Sequence, residues 1–253
     1  MLVTAYTDIG IKRETNQDSI CLKIAKTAIG EVTMAVICDG MGGLESGEIA
    51  SASVVCAMEH WFERELPALL SIFNVNRIKY SIEQVILAQN RNIMEYGKKN
   101  HIQLGTTMTT LLIVEEKLLL ISHVGDTRVY QIDRDIIALT EDQTVVARAV
   151  KKGEITAEQA EYDSRKNVLL QCIGASKHLE IDFIEKKPMK NTIYLLCSDG
   201  FRHKISSKEI LEVFCPELML SEDIMKSSAR RLVELNKARN EEDNISVVII
   251  KNE

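Results

Sequence analysis

The sequence predicts an α+β fold in which antiparallel β-sheets are covered by helices. Two observations carry this. Most of the short apolar runs follow one another across tight polar turns, the order of antiparallel meanders and not of a parallel βαβ sheet. Two long segments of helical periodicity separate the first such run from the others.

Val32 to Cys38 is a mainly apolar run ended by the cluster Gly40-Met41-Gly42-Gly43, and reads as a strand. Ser46 to Leu66 reads as a helix. Small and apolar residues recur there at Ile49, Ser53, Cys56 and His60, and Pro67 stops it. A second helix is expected from about Ile78 to Lys98, with Ile78, Ile82, Val85, Ile86, Gln89 and Ile93 on one face. Thr107 to Val114 and Leu118 to Val124 flank the turn Glu115-Glu116-Lys117. Arg128 to Ile132 and Ile136 to Leu139 flank a second turn, Asp133-Arg134-Asp135. From Asp142 to Lys166 the chain becomes polar and charged, with weak helical patterns at 145–151 and 157–162, and reads as a surface insertion. Asn191 to Ser198 is a strand. Ser206-Ser207-Lys208-Glu209 is a capping box that opens a short helix. Ser221 to Asn240 is an amphipathic helix, and Ile245 to Lys251 is the last strand. Two sheets covered by helices use all of these pieces.

The 253 residues suit one large domain or two small ones. No linker composition or internal repeat divides them, so a single domain over 1–253 is expected. The 45% apolar and 27% charged content is that of a globular protein in water. A net charge of −6 argues against a broad nucleic-acid or membrane-surface footprint. No apolar run approaches membrane-spanning length, and Met1 to Tyr6 lacks the pattern of a signal peptide. A cytoplasmic location is expected, with a monomer as the default. The cysteines at 21, 38, 56, 172, 197 and 215 are scattered and read as reduced thiols.

Four aspartates sit where an apolar stretch gives way to a turn: Asp39, Asp126, Asp199 and Asp243. A carboxylate at the end of a buried strand is costly unless something neutralises it. Brought together, four such ends would make an oxygen-rich pocket for hard divalent cations. Each motif alone reads equally well as a strand-ending turn, because Asp-Gly is common turn chemistry.

In this order and with these flanks, the motifs resemble those of the PP2C-like (PPM) metal-dependent protein serine/threonine phosphatases of bacterial type. Thr7-Asp8-Ile9-Gly10 through Arg13 to Asn16-Gln17-Asp18 is similar to the family's opening motif. Gly105-Thr106-Thr107 and Val124-Gly125-Asp126-Thr127-Arg128-Val129-Tyr130 match two later ones. Leu139-Thr140-Glu141-Asp142 and Lys152-Gly153-Glu154-Ile155-Thr156 resemble the ends of its flap, here about 142–166. The resemblance implies a four-layer α-β-β-α sandwich of two antiparallel sheets. It implies hydrolysis of phosphoserine and phosphothreonine on proteins through a metal-activated bridging water. Asp39 would bridge two Mn²⁺ or Mg²⁺ ions, Gly40 would lend its carbonyl, and Asp199 and Asp243 would complete the pair. Asp126 matches the position that, with Asp199, serves a weaker third ion. Arg13 would grip the phosphate, while Gln17, Asp18 and Asn244 would hold waters and carboxylates in place behind the ligands. The partners implied are phosphorylated proteins and, upstream, a serine/threonine kinase.

The sequence also departs from the family. Gln17 stands where many members carry a glutamate. Met41 stands where animal members carry a histidine proposed as general acid, though bacterial relatives commonly have methionine. Asp142-Gln143-Thr144 and Tyr162-Asp163-Ser164 replace frequent flap residues, which bears on substrate choice. Two other functions fit the same features: a phosphoprotein-binding pseudophosphatase, and a phosphatase of small phosphoesters. The presence of Arg13 and all four aspartates favours the protein phosphatase. Cys38 and Cys197 read as small strand residues, since no cysteine heads a C-x5-R motif. His123 reads as a strand-face residue. Lys186-Lys187 and Arg239 to Asp243 read as solvated surface.

Overall fold

The computed structural model describes residues 1–42 and 46–253; Gly43 of the glycine cluster lies outside the described residues. The chain opens with β1 (Leu2–Asp8), β2 (Asp18–Thr27) and β3 (Gly30–Gly42). Three helices follow: α1 (Gly47–Arg64), α2 (Leu66–Ile72) and α3 (Val75–Asn100). Then come β4 (Leu104–Thr106), β5 (Met108–Val114), β6 (Leu118–Val124), β7 (Arg128–Ile132) and β8 (Ile136–Ala138). The polar segment carries α4 (Val145–Lys151) and α5 (Ala157–Tyr162). The chain closes with β9 (Asp182–Lys186), β10 (Thr192–Cys197), α6 (Asp199–Arg202), α7 (Ser207–Val213), α8 (Glu222–Ala238) and β11 (Ile245–Asn252).

Two antiparallel sheets result. One runs β1-β11-β10-β7-β8 and the other β2-β3-β5-β6-β9, with β4 paired to β3. The period-2 geometry of a strand explains why the central strands read as mainly apolar runs. Ala35, Ile37, Leu111 and Ile121 of one sheet meet Val129, Tyr194, Leu196, Val248 and Ile250 of the other. Val32, Met34, Val36 and Cys38 point the opposite way, under α1 and α3. Ile193, Leu195, Val247 and Ile249 likewise pack outward, with Leu232 and Val233 of α8. Each central strand is buried on both faces, so it has no polar face to alternate with. Each fully buried aliphatic side chain contributes about 1.5–3 kcal/mol. This is the expected four-layer α-β-β-α sandwich.

Several expectations need correction. α1 buries Ala50, Val54, Met58 and Trp61, whereas Cys56 and His60 are exposed. The buried stripe is thus rotated from the one read in the sequence, and the Trp61 indole sits inside, donating to Ser81 Oγ at 2.8 Å. Pro67 does not merely stop a helix. It stands in the first turn of α2, where its missing N–H leaves no bond unmade. Asp39 is not at a strand end, because β3 continues to Gly42 by pairing with β4. Glu241, within the run read as solvated, is only 4% exposed. No strand was expected over Leu2–Asp8, Asp18–Thr27 or Asp182–Lys186. All three are sheet-edge strands with mixed burial and lack the apolar runs of the central ones. Among the described residues, no helix is long and apolar enough to cross a membrane.

Candidate active site

One edge of the sandwich opens into a cleft of about 480 Å³. Arg13, Gln17, Asp39, Gly40, Met41, Asp126, Asp199 and Asp243 all line it. Both sheets contribute. Asp39 lies on β3, Asp126 in the loop crossing from β6 to β7, Asp199 just after β10, and Asp243 just before β11.

The backbone fixes Asp39 first. Its N–H donates to Thr107 Oγ1 at 2.9 Å, and its carbonyl accepts from Thr107 N–H and Thr106 Oγ1, both at 2.9 Å. Gly40 follows because the chains crowd there: a Cβ would lie 2.3 Å from the Gly47 carbonyl oxygen. At Gly125 the constraint is different. Its φ is +110°, and a Cβ would lie 2.5 Å from the Thr107 side chain. Gln143, at the root of the 142–166 segment, clasps both backbone groups of Gly125, donating to its oxygen at 2.7 Å and accepting from its N–H at 2.8 Å.

The electrostatics are dominated by carboxylates. Burial drives the Asp39 carboxyl well above its ordinary pKa, and Asp18, Asp199, Asp126 and Asp243 push the same way. Asp39 is partly accessible from the cleft, but protein surrounds it on the other sides. Burial, followed by repulsion from Asp199, raises Asp126 to about 7, against which Arg202 and His203 act. Asp18 faces Asp39 across the β2–β3 ladder. Burial raises it to about 7 as well; the Ser246 and Ser198 hydroxyls moderate the rise without closing hydrogen bonds to it. Asp199 keeps Oδ1 buried without a partner.

Arg13 approaches both oxygens of Asp243 through Nη2, at 2.9 and 3.0 Å. Burial opposes its charge, but Asp243, Asp39 and Asp199 together raise its pKa. Asn244 serves the loop that carries Arg13. Its Oδ1 accepts from Gln17 N–H at 2.8 Å, and its Nδ2 donates to the carbonyls of Ile9 and Thr15 at 2.9 and 3.2 Å. The Gln17 amide is best turned with its NH₂ toward the Gly40 carbonyl and its oxygen toward Gly47 N–H, both at 3.3 Å.

Other parts of the site were not read from the sequence. Asp142 takes Arg128 in a two-pronged pair at 2.7 and 2.8 Å, and Arg202 at 3.1 Å. Arg202 also donates to the Asp126 carbonyl at 3.1 Å. Burial would raise the Asp142 carboxyl, but the two guanidiniums hold it below its ordinary pKa. His203 stands between Asp199 and Glu241, and Asn167 lines the cleft. An aspartate between arginines far apart in sequence leaves no local pattern to find. His123 is a core residue: its ring bonds Thr109 Oγ1 at 2.8 Å and the Glu141 carbonyl at 3.0 Å.

The carboxylates gathered here suit a hard divalent cation. The unpartnered Asp199 Oδ1 and the crowded charge around Asp39 fit such an ion. Among the described residues, no three His, Cys, Asp or Glu side chains already stand at the spacing of a closed metal cage. The carboxylates repel one another, and Arg13 holds Asp243.

The chain resembles known proteins over nearly its whole length. The sequence pattern of the family described as protein phosphatase 2C matches residues 11–236. Protein phosphatase PhpP of Streptococcus pneumoniae is 28% identical over 253 residues, covering 99% of this chain and 97% of PhpP. The crystal structure of the S. agalactiae serine/threonine phosphatase superposes with a TM-score of 0.86 at 29% identity, covering 99% of each chain. The catalytic domain of the serine threonine protein phosphatase PstP, solved with 2 manganese ions, superposes at 0.76 with 28% identity, covering 98% of this chain and 96% of that one.

Proposed function

Because this chain belongs to the protein phosphatase 2C family, we propose that Asp39, Asp199 and Asp243 hold a pair of Mn²⁺ or Mg²⁺ ions in its cleft. The chain is a serine/threonine protein phosphatase, a phosphoric monoester hydrolase. Asp39 and the Gly40 carbonyl would both contribute oxygens to the pair. Asp126, with Asp199, serves a weaker third ion. The observation that carries this reading is the convergence of Asp39, Asp126, Asp199 and Asp243 on one cleft, with Asp199 Oδ1 buried and unpartnered. A cation among such carboxylates offsets their mutual repulsion. When bound, such a cation pair activates water and neutralises phosphate charge.

The chain's own residues do the rest. Arg13 is 49% exposed, so its hold on Asp243 is exchangeable for phosphate oxygens, two of which its planar fork can bind at once. Water adds to phosphorus, the bond to the serine or threonine oxygen breaks, and no phosphoenzyme forms. Met41 has no proton to give, so the leaving oxygen takes one from solvent. The thiols do not compete: burial pushes Cys197 up to about 12 and Cys38 well above its ordinary range. The substrates are proteins phosphorylated by a serine/threonine kinase. The 142–166 segment borders a groove of about 1040 Å³ between Asp126 and Tyr162, where the flanking peptide lies.

The test is phosphate release from a phosphothreonine peptide with Mn²⁺, beside Asp39→Asn and Asp199→Asn. Metal-dependent release by the wild type and its loss in both variants is the expected result. A wild type without metal-dependent release overturns the metal reading. Equal rates on phosphotyrosine and phosphothreonine peptides overturn the assigned specificity.

A further inference from the structure

Glu241 belongs to the charged run Arg239 to Asp243, yet it is 4% exposed. A buried carboxylate is costly unless it is hydrogen-bonded and paired. Its Oε1 accepts two backbone donors, Glu242 N–H at 3.0 Å and Asp243 N–H at 3.1 Å. Its own N–H donates to the Asn236 carbonyl at 3.0 Å, tying it to the end of α8. Oε2 faces His203 Nδ1 at 3.5 Å, and His203 Nε2 lies 3.4 Å from Asp199 Oδ2. These are ion-pair separations and not closed hydrogen bonds. His203 is anchored in turn, its N–H donating to the Asp199 carbonyl at 3.0 Å.

A continuous polar chain therefore runs from Asp243 N–H through Glu241 and His203 to Asp199. It joins the Asp199 carboxylate, at the opening of α6, to the backbone of Asp243, just before β11. His203 takes one oxygen of Asp199 and leaves Oδ1 without a partner. We propose that Glu241 and His203 are positioning residues that hold Asp199 and Asp243 in mutual register and orient Asp199 so that Oδ1 is free for a cation. This rests on the metal reading above. Glu241 lies behind the carboxylates, whereas His203 also lines the groove of about 1040 Å³.

Outer partners of ligand carboxylates change metal affinity by about 10- to 100-fold when removed. The experiment is calorimetric titration of Mn²⁺ into the full chain, with the Mn²⁺ EPR signal of the bound ion as a second readout. Glu241→Ala and His203→Ala are each expected to weaken Mn²⁺ binding by about 10-fold or more. The double variant should bind no more weakly than Glu241→Ala, because one chain is broken either way. His203→Gln, which reaches one carboxylate but does not bridge two, should fall between and guards against a variant that fails to fold. At saturating Mn²⁺ the turnover of Glu241→Ala should recover, with KM for a phosphothreonine peptide unchanged. Wild-type affinity and EPR signal in His203→Ala, or losses that multiply in the double variant, overturn the proposal. If Asp39→Asn also binds Mn²⁺ like the wild type, it is the underlying metal reading that fails.

Discussion

Replacing Asp126 by asparagine should stabilise the metal-free protein, and only above a definite pH. The Asp126 carboxyl rises from 3.8 to about 7 in the folded state, mainly because it is buried and then because Asp199 lies near. The sign follows from proton binding. Below about pH 4 both folded and unfolded chains hold the proton, and the residue contributes nothing. Between about 4 and 7 the unfolded chain releases its proton while the folded chain keeps it, so stability falls as pH rises. Above about 7 both are ionised and the loss is constant. The difference, 7 − 3.8, is about 3 units, which at about 1.36 kcal/mol each gives about 4 kcal/mol. The carboxylates of the cleft titrate together, so about half, roughly 2 kcal/mol, is assigned to Asp126 alone. Asparagine keeps the shape and never ionises. In EDTA at pH 8 the variant should melt roughly 4–8 °C above the wild type, at about 2–4 °C per kcal/mol for a chain of this size. At pH 4 the two should melt together. Thermal unfolding followed by circular dichroism in EDTA across pH 4 to 8 measures this. No gain at pH 8, or an equal gain at pH 4, would refute the reasoning.

Three further outcomes follow from the geometry. Asp142→Ala leaves the Arg128 and Arg202 guanidiniums without their shared carboxylate and should cost about 3–5 kcal/mol in urea unfolding. Gly125→Ala forces an L side chain to a φ of +110° and against Thr107; a loss of about 1–3 kcal/mol from the backbone alone is expected by chemical denaturation, with lower activity. Arg13→Ala removes charge-assisted hydrogen bonds worth about 1.5–3 kcal/mol, so kcat/KM on a phosphothreonine peptide should drop by about 10- to 100-fold.

The central strands and the position of the cleft were legible in the sequence because the local pattern and the fold agree there. A strand buried on both faces is mainly apolar, and Val32 to Cys38 and Ile245 to Ile250 show this, with only Thr33 and Ser246 as polar exceptions. The aspartates were visible because they stand beside such runs and beside glycines. What escaped notice depends on distant pairing. Asp39 looked terminal because nothing local announces β4, the short strand that prolongs β3 past it. The buried face of α1 was misplaced because its small residues are spread around the helix. Glu241 looked like surface because its neighbours are charged, and only the fold places His203 beside it.

The layer of side chains between the two sheets has a consequence of its own. Asp39 belongs to one sheet, while Asp199 and Asp243 are carried by the other. Ile37 against Tyr194 and Leu196 is thus a spacer as much as a core. A methyl group removed there would let one sheet settle onto its neighbour, and the separation of carboxylates at the rim would move with it. In this molecule, interior volume sets the gauge of the catalytic edge.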